Sequence, residues 1–402
     1  MSVTDETFMR EALRLAKRGL GRTSPNPAVG AVIVRKGRVI AGGYHRKAGS
    51  PHAEIEALGR LQGKARPGDT LYVTLEPCNH HGRTPPCTLA ILERGIAKVV
   101  VGMGDPNPTV SGGGCAFLAS KGVEIREGVL EAECRRLNEA YIKFVTTGRP
   151  FVIAKTALTL DGWTATSTGH SKWVTGEASR RFVHRLRNQV DAVMVGVETI
   201  LADDPLLDTR LKGRKGKNPI RIVLDTRLRT PHTARVLSHS DSSMTWIAVG
   251  DDVRPRKLES YASEAVSFLP CPKKRGRIDL GALMHRLGEK CITSVLLEGG
   301  STVMGSMIRE RLVDKFYVFK APTLLGGDDG IPMARGAGVT RMDESIGLRG
   351  LEIRRFGDDV LFAGYPCYTA HKGGTDKHGF VRERGKHGQP SVDRGTFGIK
   401  NQ

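Results

Sequence analysis

No uninterrupted apolar run in the 402 residues approaches the roughly 20 residues needed to cross a bilayer, so no transmembrane helix and no membrane partner are expected. The first residues, Met1 to Glu6, are acidic. They lack the apolar core of a signal peptide and the Arg/Ser-rich character of a transit peptide. Cysteine is sparse and odd in number, seven in all: Cys78, Cys87, Cys115, Cys134, Cys271, Cys291 and Cys367. An odd count in a long chain argues against a secreted disulfide scaffold and for a reducing compartment, which makes the cytoplasm the expected location. Acidic residues are in deficit, 42 against 62 Lys and Arg, a formal net charge of +20. Such a field draws anions, whether nucleic acid, membrane or phosphorylated metabolite, without saying which. Hydrophobic residues make up 39%, which excludes disorder of the whole chain. No internal repeat is visible.

The length suggests two domains. Apolar periodicity predicts a helix over Asp5–Gly19, strands over Val29–Val34 and Val39–Gly43, and a helix over His52–Leu61. A β-rich run at Leu71–Leu75 follows, then a helix over Thr88–Arg94, a strand over Lys98–Gly102, a helix over Gly113–Lys121, a strand over Val123–Ile125 and a helix over Glu131–Phe144. After Thr147-Gly148-Arg149-Pro150 the alternation restarts, with strands near residues 151, 192, 220, 245, 294, 315 and 359. Helices are expected over Gly176–Asn188, Asp279–Glu289 and Ser301–Glu310. Alternating strands and helices indicate α/β layered sheets. The expected division is 1–147, 148–365 and a basic, disordered tail over 366–402, where apolar periodicity stops.

The chemistry is most explicit at His52-Ala53-Glu54, Glu76-Pro77-Cys78 and Pro85-Pro86-Cys87. One imidazole and two thiolates supply three ligands for a tetrahedral zinc and leave the fourth position for water. Zinc brings the pKa of that water toward neutrality. Glu54, two residues from the histidine at a helix start, is placed to move protons without binding the metal. This is the logic of the zinc nucleobase deaminases. Their usual signature has two residues between the thiols, whereas eight lie here, and His80 and His81 are rival ligands among them.

Pro25-Asn26-Pro27-Ala28-Val29-Gly30, Tyr44-His45, Pro51-His52-Ala53-Glu54, the stretch Thr74 to Cys87 and Asp105-Pro106-Asn107-Pro108 together resemble one family, the bifunctional deaminase/reductase of riboflavin biosynthesis. The resemblance covers about residues 5–365, and in that family the longer gap between the cysteines is normal. Asn79 stands where Ser is expected. The resemblance implies a cytidine-deaminase-like α/β/α domain followed by a dihydrofolate-reductase-like α/β domain. It also implies a phosphoribosyl pyrimidine substrate, 2,5-diamino-6-(5-phosphoribosylamino)pyrimidin-4-one, which is deaminated to the corresponding uracil. Zinc would be held by His52, Cys78 and Cys87, with Glu54 catalytic and Asn26 lining the base pocket. His80, Arg83 and Lys47 are candidates to meet phosphate.

The second half is less explicit. No G-x-G-x-x-G follows its first strand. Glu298-Gly299-Gly300-Ser301 follows a strand and opens a helix, as either a phosphate cradle or a tight connection. The resemblance implies NADPH as cofactor, contacted by Ala157, Trp173, Thr199, Asp203, Thr226 and the turn beginning Gly299, Gly300, Ser301. It implies that Ser171, Arg187, Leu207, Arg210 and Glu298 contact the substrate. Hydride transfer to C1′ of the ring-opened ribose would give a ribityl chain. Trp163 departs from the Arg or Lys expected after Asp161-Gly162. Self-association is also implied. The competing readings are a nucleic-acid deaminase, such as a tRNA-editing enzyme, and a family member with only its deaminase active. The stretch Pro77 to Cys87 and the set Trp173, Asp203 and Glu298 fit a small-molecule enzyme, so no nucleic acid is expected.

Overall fold

The computed structural model describes residues 4–80, 85–108, 113–213, 216–238, 244–261, 263 and 265–368. The first half runs α1 (Asp5–Ala16), β1 (Gly30–Arg35), β2 (Arg38–Tyr44), α2 (Ala53–Gly59), β3 (Thr70–Val73), α3 (Cys87–Glu93), β4 (Lys98–Val101), α4 (Gly114–Ser120), β5 (Glu124–Arg126), α5 (Glu131–Leu137) and α6 (Glu139–Thr147). Its sheet has the order β2-β1-β3-β4-β5. The β1 strand is antiparallel to both neighbours, and β3, β4 and β5 are parallel. The apolar runs of β1, β3 and β4 are buried almost throughout, as strands covered on both faces must be. One cover is α1, whose helical spacing buries Phe8, Met9, Ala12, Leu13 and Ala16.

The single helix expected over Glu131–Phe144 is two, α5 and α6, broken at Asn138. Asn138 is buried. Its side chain leaves helical geometry to clamp the loop before β1, accepting from the Ala28 N–H at 2.8 Å and donating to the Ala28 carbonyl at 3.1 Å. A tertiary hydrogen-bond pair has overridden helical continuity.

The second half runs β6 (Phe151–Leu158), β7 (Trp163–Ala165), α7 (Glu177–Gln189), β8 (Ala192–Gly196), α8 (Val197–Asp203), β9 (Ile220–Leu224), β10 (Thr245–Gly250), α9 (Pro255–Glu259), β11 (Val266–Cys271), β12 (Lys273–Lys274) and β13 (Arg277–Ile278). It continues through α10 (Leu280–Glu289), β14 (Ser294–Glu298), α11 (Ser301–Arg309), β15 (Lys315–Lys320), β16 (Ile331–Pro332), β17 (Gly347–Phe356) and β18 (Asp359–Cys367). Nine strands form one sheet in the order β11-β10-β9-β8-β14-β6-β15-β18-β17, parallel as far as β15 and antiparallel over the last two. The β17 strand escaped the sequence pattern because apolar and charged residues are mixed along it and most of it is a solvent-facing edge. The tail begins later than Pro366: β18 carries Pro366 and Cys367 in register with Leu348 and Gly347, and the Tyr368 hydroxyl donates to the Val313 carbonyl. The rest of the expected tail, 369–402, lies outside the described residues.

Polar groups join the halves. The Lys315 ammonium, 8% exposed, lies 2.9 Å from the Glu139 carboxylate, which also accepts from the Tyr365 hydroxyl at 2.7 Å. Lys143 pairs with Asp314 at 2.5 Å, and the Ser24 hydroxyl donates to Asp191 at 2.8 Å. Among the described residues, no helix is long and apolar enough to cross a membrane.

Candidate active sites

Two helix starts build the first site. His52 is the N-cap of α2 and Cys87 opens α3, while Cys78 lies in the loop after β3. The His52 Nδ1 is 3.3 Å from the Cys87 Sγ and 3.5 Å from the Cys78 Sγ, and the Cys87 N–H points at the Cys78 Sγ at 3.4 Å. Zinc with ordinary bond lengths sets tetrahedral N and S ligands roughly 3.5–3.8 Å apart, so the donor set fits it in both chemistry and spacing. Among the described residues, these three are the group that could hold a metal ion, with all ligand atoms within 4.8 Å of one another. The rival His80 is exposed and outside that group, and His81 lies outside the described residues, as does Arg83. Lys47 is exposed.

The Cys87 thiol, with His52, pulls the Cys78 thiol well below its ordinary range, while Cys78 and burial hold Cys87 up. Zinc would make both thiolates. Glu54, 3% exposed, sits on the first turn of α2. Burial pushes its carboxyl up to about 7, against the pull of His52. A carboxyl near neutrality can both accept and return a proton.

Asn26 is exposed, with its Nδ2 3.1 Å from the His45 Nε2. His45 is buried, and its Nδ1 meets the Pro51 carbonyl at 3.1 Å. A carbonyl can only accept, so Nδ1 carries the proton and Nε2 accepts from Asn26. This leaves the Asn26 Oδ1 as an acceptor. Burial also pushes the His45 pKa down, keeping the ring neutral. Glu76, two residues before Cys78, accepts from the Asp105 and Cys115 N–H groups, and the Tyr141 hydroxyl donates to Asp105.

The second site lies along the carboxyl ends of adjacent parallel strands, where open α/β sheets bind ligands. Ala157 is near the end of β6, Glu298 ends β14, Thr199 lies just beyond β8, and Thr226 follows β9. Gly299 and Gly300 have φ of +88° and +80°, and side chains there would approach the Thr199 hydroxyl to 3.4 and 3.6 Å. This is a glycine cradle at the start of α11, and it fits a nucleotide phosphate. Trp173 is 72% exposed, with the Arg180 guanidinium 4.4 Å from its ring centre. Its neighbour Lys172 bears electrostatically on Asp203, whose carboxyl burial raises. Ser171 is half-buried in the same segment.

Arg187 and Glu298 form a bidentate pair at 2.6 and 3.0 Å, and the Arg187 Nη1 donates to the Asp208 carbonyl at 3.0 Å. Burial would raise the Glu298 carboxyl, but Arg187 and Lys155 hold it below its usual range. Leu207 is only 4% exposed and packs in the core, so its main chain is what it offers a ligand. Arg210 is largely exposed, with its guanidinium on Asp208 at 3.0 Å. Trp163 lies against Gly330, where a Cβ would come within 2.5 Å of the indole.

The sequence reading missed Lys155, which lies opposite Glu298 in the β6–β14 register. Burial lowers its pKa, Glu298 opposing and Arg187 adding. A lysine inside the apolar strand Phe151–Leu158 was the available signal. His184 and Asp208 gave no such signal.

Residues 2–103 match the cytidine and deoxycytidylate deaminase zinc-binding region, and residues 150–362 match the RibD C-terminal domain. The chain is 44% identical over 361 residues to riboflavin biosynthesis protein RibD of Actinobacillus pleuropneumoniae, covering 90% of this chain and 95% of that protein. It is 39% identical to the Escherichia coli protein of the same name, covering 89% and 98%. A diaminohydroxyphosphoribosylaminopyrimidine deaminase/5-amino-6-(5-phosphoribosylamino)uracil reductase from Thermotoga maritima superposes with a TM-score of 0.78 at 38% identity, over 90% of this chain and 99% of that one. RibD of Acinetobacter baumannii superposes at 0.80 with 36% identity, over the same shares.

Proposed function

The chain belongs to the RibD family of riboflavin-biosynthesis enzymes, a zinc-dependent deaminase joined to an NADPH-dependent reductase, and from that premise we propose how its own residues divide the two reactions. The deaminase occupies 1–147 and the reductase 148–365. The substrate is the phosphoribosyl diaminopyrimidinone. The first reaction replaces its exocyclic amine by oxygen, consuming water and releasing ammonia. The second reduces the ribosyl chain of the resulting uracil to ribityl.

In the first site His52, Cys78 and Cys87 hold zinc. Zinc, when bound, supplies the Lewis acidity that makes water a nucleophile near neutral pH. Glu54 takes one proton from the water and delivers it to the ring nitrogen, then takes the second from the new hydroxyl and delivers it to the departing amine, so that both water protons are accounted for. Asn26, oriented by His45, offers Oδ1 to a ring N–H. The observation that carries this reading is a buried carboxyl two residues from the histidine of a His/Cys/Cys cluster of zinc dimensions, its pKa raised by burial.

In the second site Thr199, Gly299, Gly300, Ser301, Ala157 and Thr226 seat the nucleotide, with Trp173 and Asp203 at its edge. NADPH, when bound, supplies the hydride. Ser171, Arg187, Arg210 and the Leu207 main chain hold the phosphoribosyl group, and Glu298 with Lys155 handles the proton that accompanies reduction. The apolar groups Leu348, Leu351 and Ile353, each at least 40% exposed on edge strand β17, suit a second copy of the chain. The free thiols favour the cytoplasm.

The test is a two-signal assay on the phosphoribosyl diaminopyrimidinone. Ammonia release together with substrate-dependent NADPH oxidation is expected. Neither signal from folded, zinc-loaded protein, with activity on RNA instead, would overturn the assignment of substrate.

A further inference from the structure

We propose that His184 is a positioning residue of the reductase substrate site, fixing the Asp208–Arg210 segment beside the Arg187–Glu298 pair by accepting the Arg210 backbone N–H. This rests on the reading that Arg187 and Arg210 hold the phosphoribosyl group.

His184 and Arg187 lie one turn apart on α7, so both side chains leave the same face of the helix. The His184 Nδ1 lies 3.2 Å from the Arg210 nitrogen and 3.3 Å from the Asp208 carbonyl oxygen. One ring nitrogen cannot serve both, since the amide needs an acceptor and the carbonyl a donor. The Asp208 carbonyl is already served by the Arg187 Nη1 at 3.0 Å. The arrangement that satisfies all three groups has Arg187 donating to the Asp208 carbonyl and Arg210 N–H donating to a bare Nδ1, with the ring proton on Nε2.

The surrounding charge agrees. Burial pushes the His184 pKa down, the Arg187 and Arg210 guanidinium groups add to it, and Asp208 opposes. Glu298, on β14, also bears electrostatically on this ring. The segment needs such a tether. It leaves Leu207 at a left-handed φ of +53°, and Thr209 N–H is held from the far side by the Asn218 side chain at 2.7 Å. The exposed Arg210 guanidinium is anchored, among the described residues, by the Asp208 carboxylate two residues back. His184 therefore links the helix that carries one substrate arginine to the loop that carries the other.

The experiment is steady-state reductase kinetics on the full-length, zinc-loaded chain, with the deaminated phosphoribosylaminouracil as variable substrate. His184→Ala is expected to raise KM for that substrate about fivefold or more, with kcat within about twofold. KM for NADPH and the deaminase rate should be unchanged. Asn places an amide oxygen near the position of Nδ1, and Gln places one nearer Nε2. His184→Asn should therefore restore KM and His184→Gln should not. An unchanged KM in His184→Ala, or Asn and Gln variants that behave alike, overturns the proposal. If His184→Ala loses deaminase activity as well, and so has failed to fold, the Asn and Gln pair decides. Arg210→Ala separates the underlying reading. If it leaves KM unchanged, Arg210 does not hold substrate and both fall. If it raises KM while His184→Ala does not, the positioning role alone falls.

Discussion

The two halves solve the same problem, holding a small polar substrate against a reactive partner, with different materials. The first gathers its groups from a short stretch: His52 and Glu54 at the start of α2, Cys78 in a loop and Cys87 at the start of α3. The second draws on strands and the turns that follow them, far apart in the chain, from Lys155 to Ser301, and holds them with long-range ion pairs such as Arg187–Glu298. A metal needs ligands at fixed distances, and two helix starts and the loop between β3 and α3 provide them. A nucleotide needs backbone amides and space, which the carboxyl ends of a parallel sheet provide. Yet both proposed substrate sites contain the same small device, a neutral histidine whose bare nitrogen accepts a hydrogen bond and orients a neighbour: His45 for Asn26 and His184 for Arg210.

The strongest way to sharpen this contrast is Glu54→Gln. Deamination should fall on the order of 10³-fold, while zinc content and reduction of the deaminated substrate persist. Normal ammonia release by the variant would remove Glu54 from the mechanism. Cys87→Ser should lower bound zinc measured by metal analysis and take deamination with it, again sparing NADPH oxidation. Unchanged stoichiometry would point to His80 or His81.

Glu298→Ala tests the other half. It strands the Arg187 guanidinium, whose side chain is only 15% exposed, and breaking such a pair costs about 3–5 kcal/mol. The reductase should be lost, and thermal unfolding of that half should move down while the zinc site keeps its metal. Intact NADPH oxidation would sink the assigned role.

The smallest effect is shared by both halves. His45 and His184 have pKa values below the ordinary 6.5 in the folded chain. As pH falls through 6.5, the unfolded chain takes up protons first. The stability these rings contribute is therefore complete above 6.5 and declines as pH drops toward their folded values. Glu298, held below its usual range, adds a loss at still lower pH for the second half alone. Substrate KM for both reactions, followed from neutral to mildly acidic pH, should rise together. A rise in only one would break the parallel.

The first site was largely legible because its ligands are chemically rare and lie close together in sequence: His-Ala-Glu followed by Glu-Pro-Cys admits few readings. The second was legible only through resemblance. An arginine such as Arg187 among 62 basic residues carries no mark of its role, and Leu207 reads as an ordinary core leucine. Lys155 was missed although a lysine inside an apolar strand is unusual. The break at Asn138 was missed because its cause, the loop at Ala28, is 110 residues away.

By itself, then, the sequence determined the α/β alternation, the restart at Thr147–Pro150 and the zinc-binding chemistry, since each depends on residue type and local spacing. Tertiary structure alone decided which arginine is paired, which histidine is neutral and which lone pair Asn26 presents. Those properties depend on burial and on partners brought together from distant parts of the chain, and local pattern does not encode them.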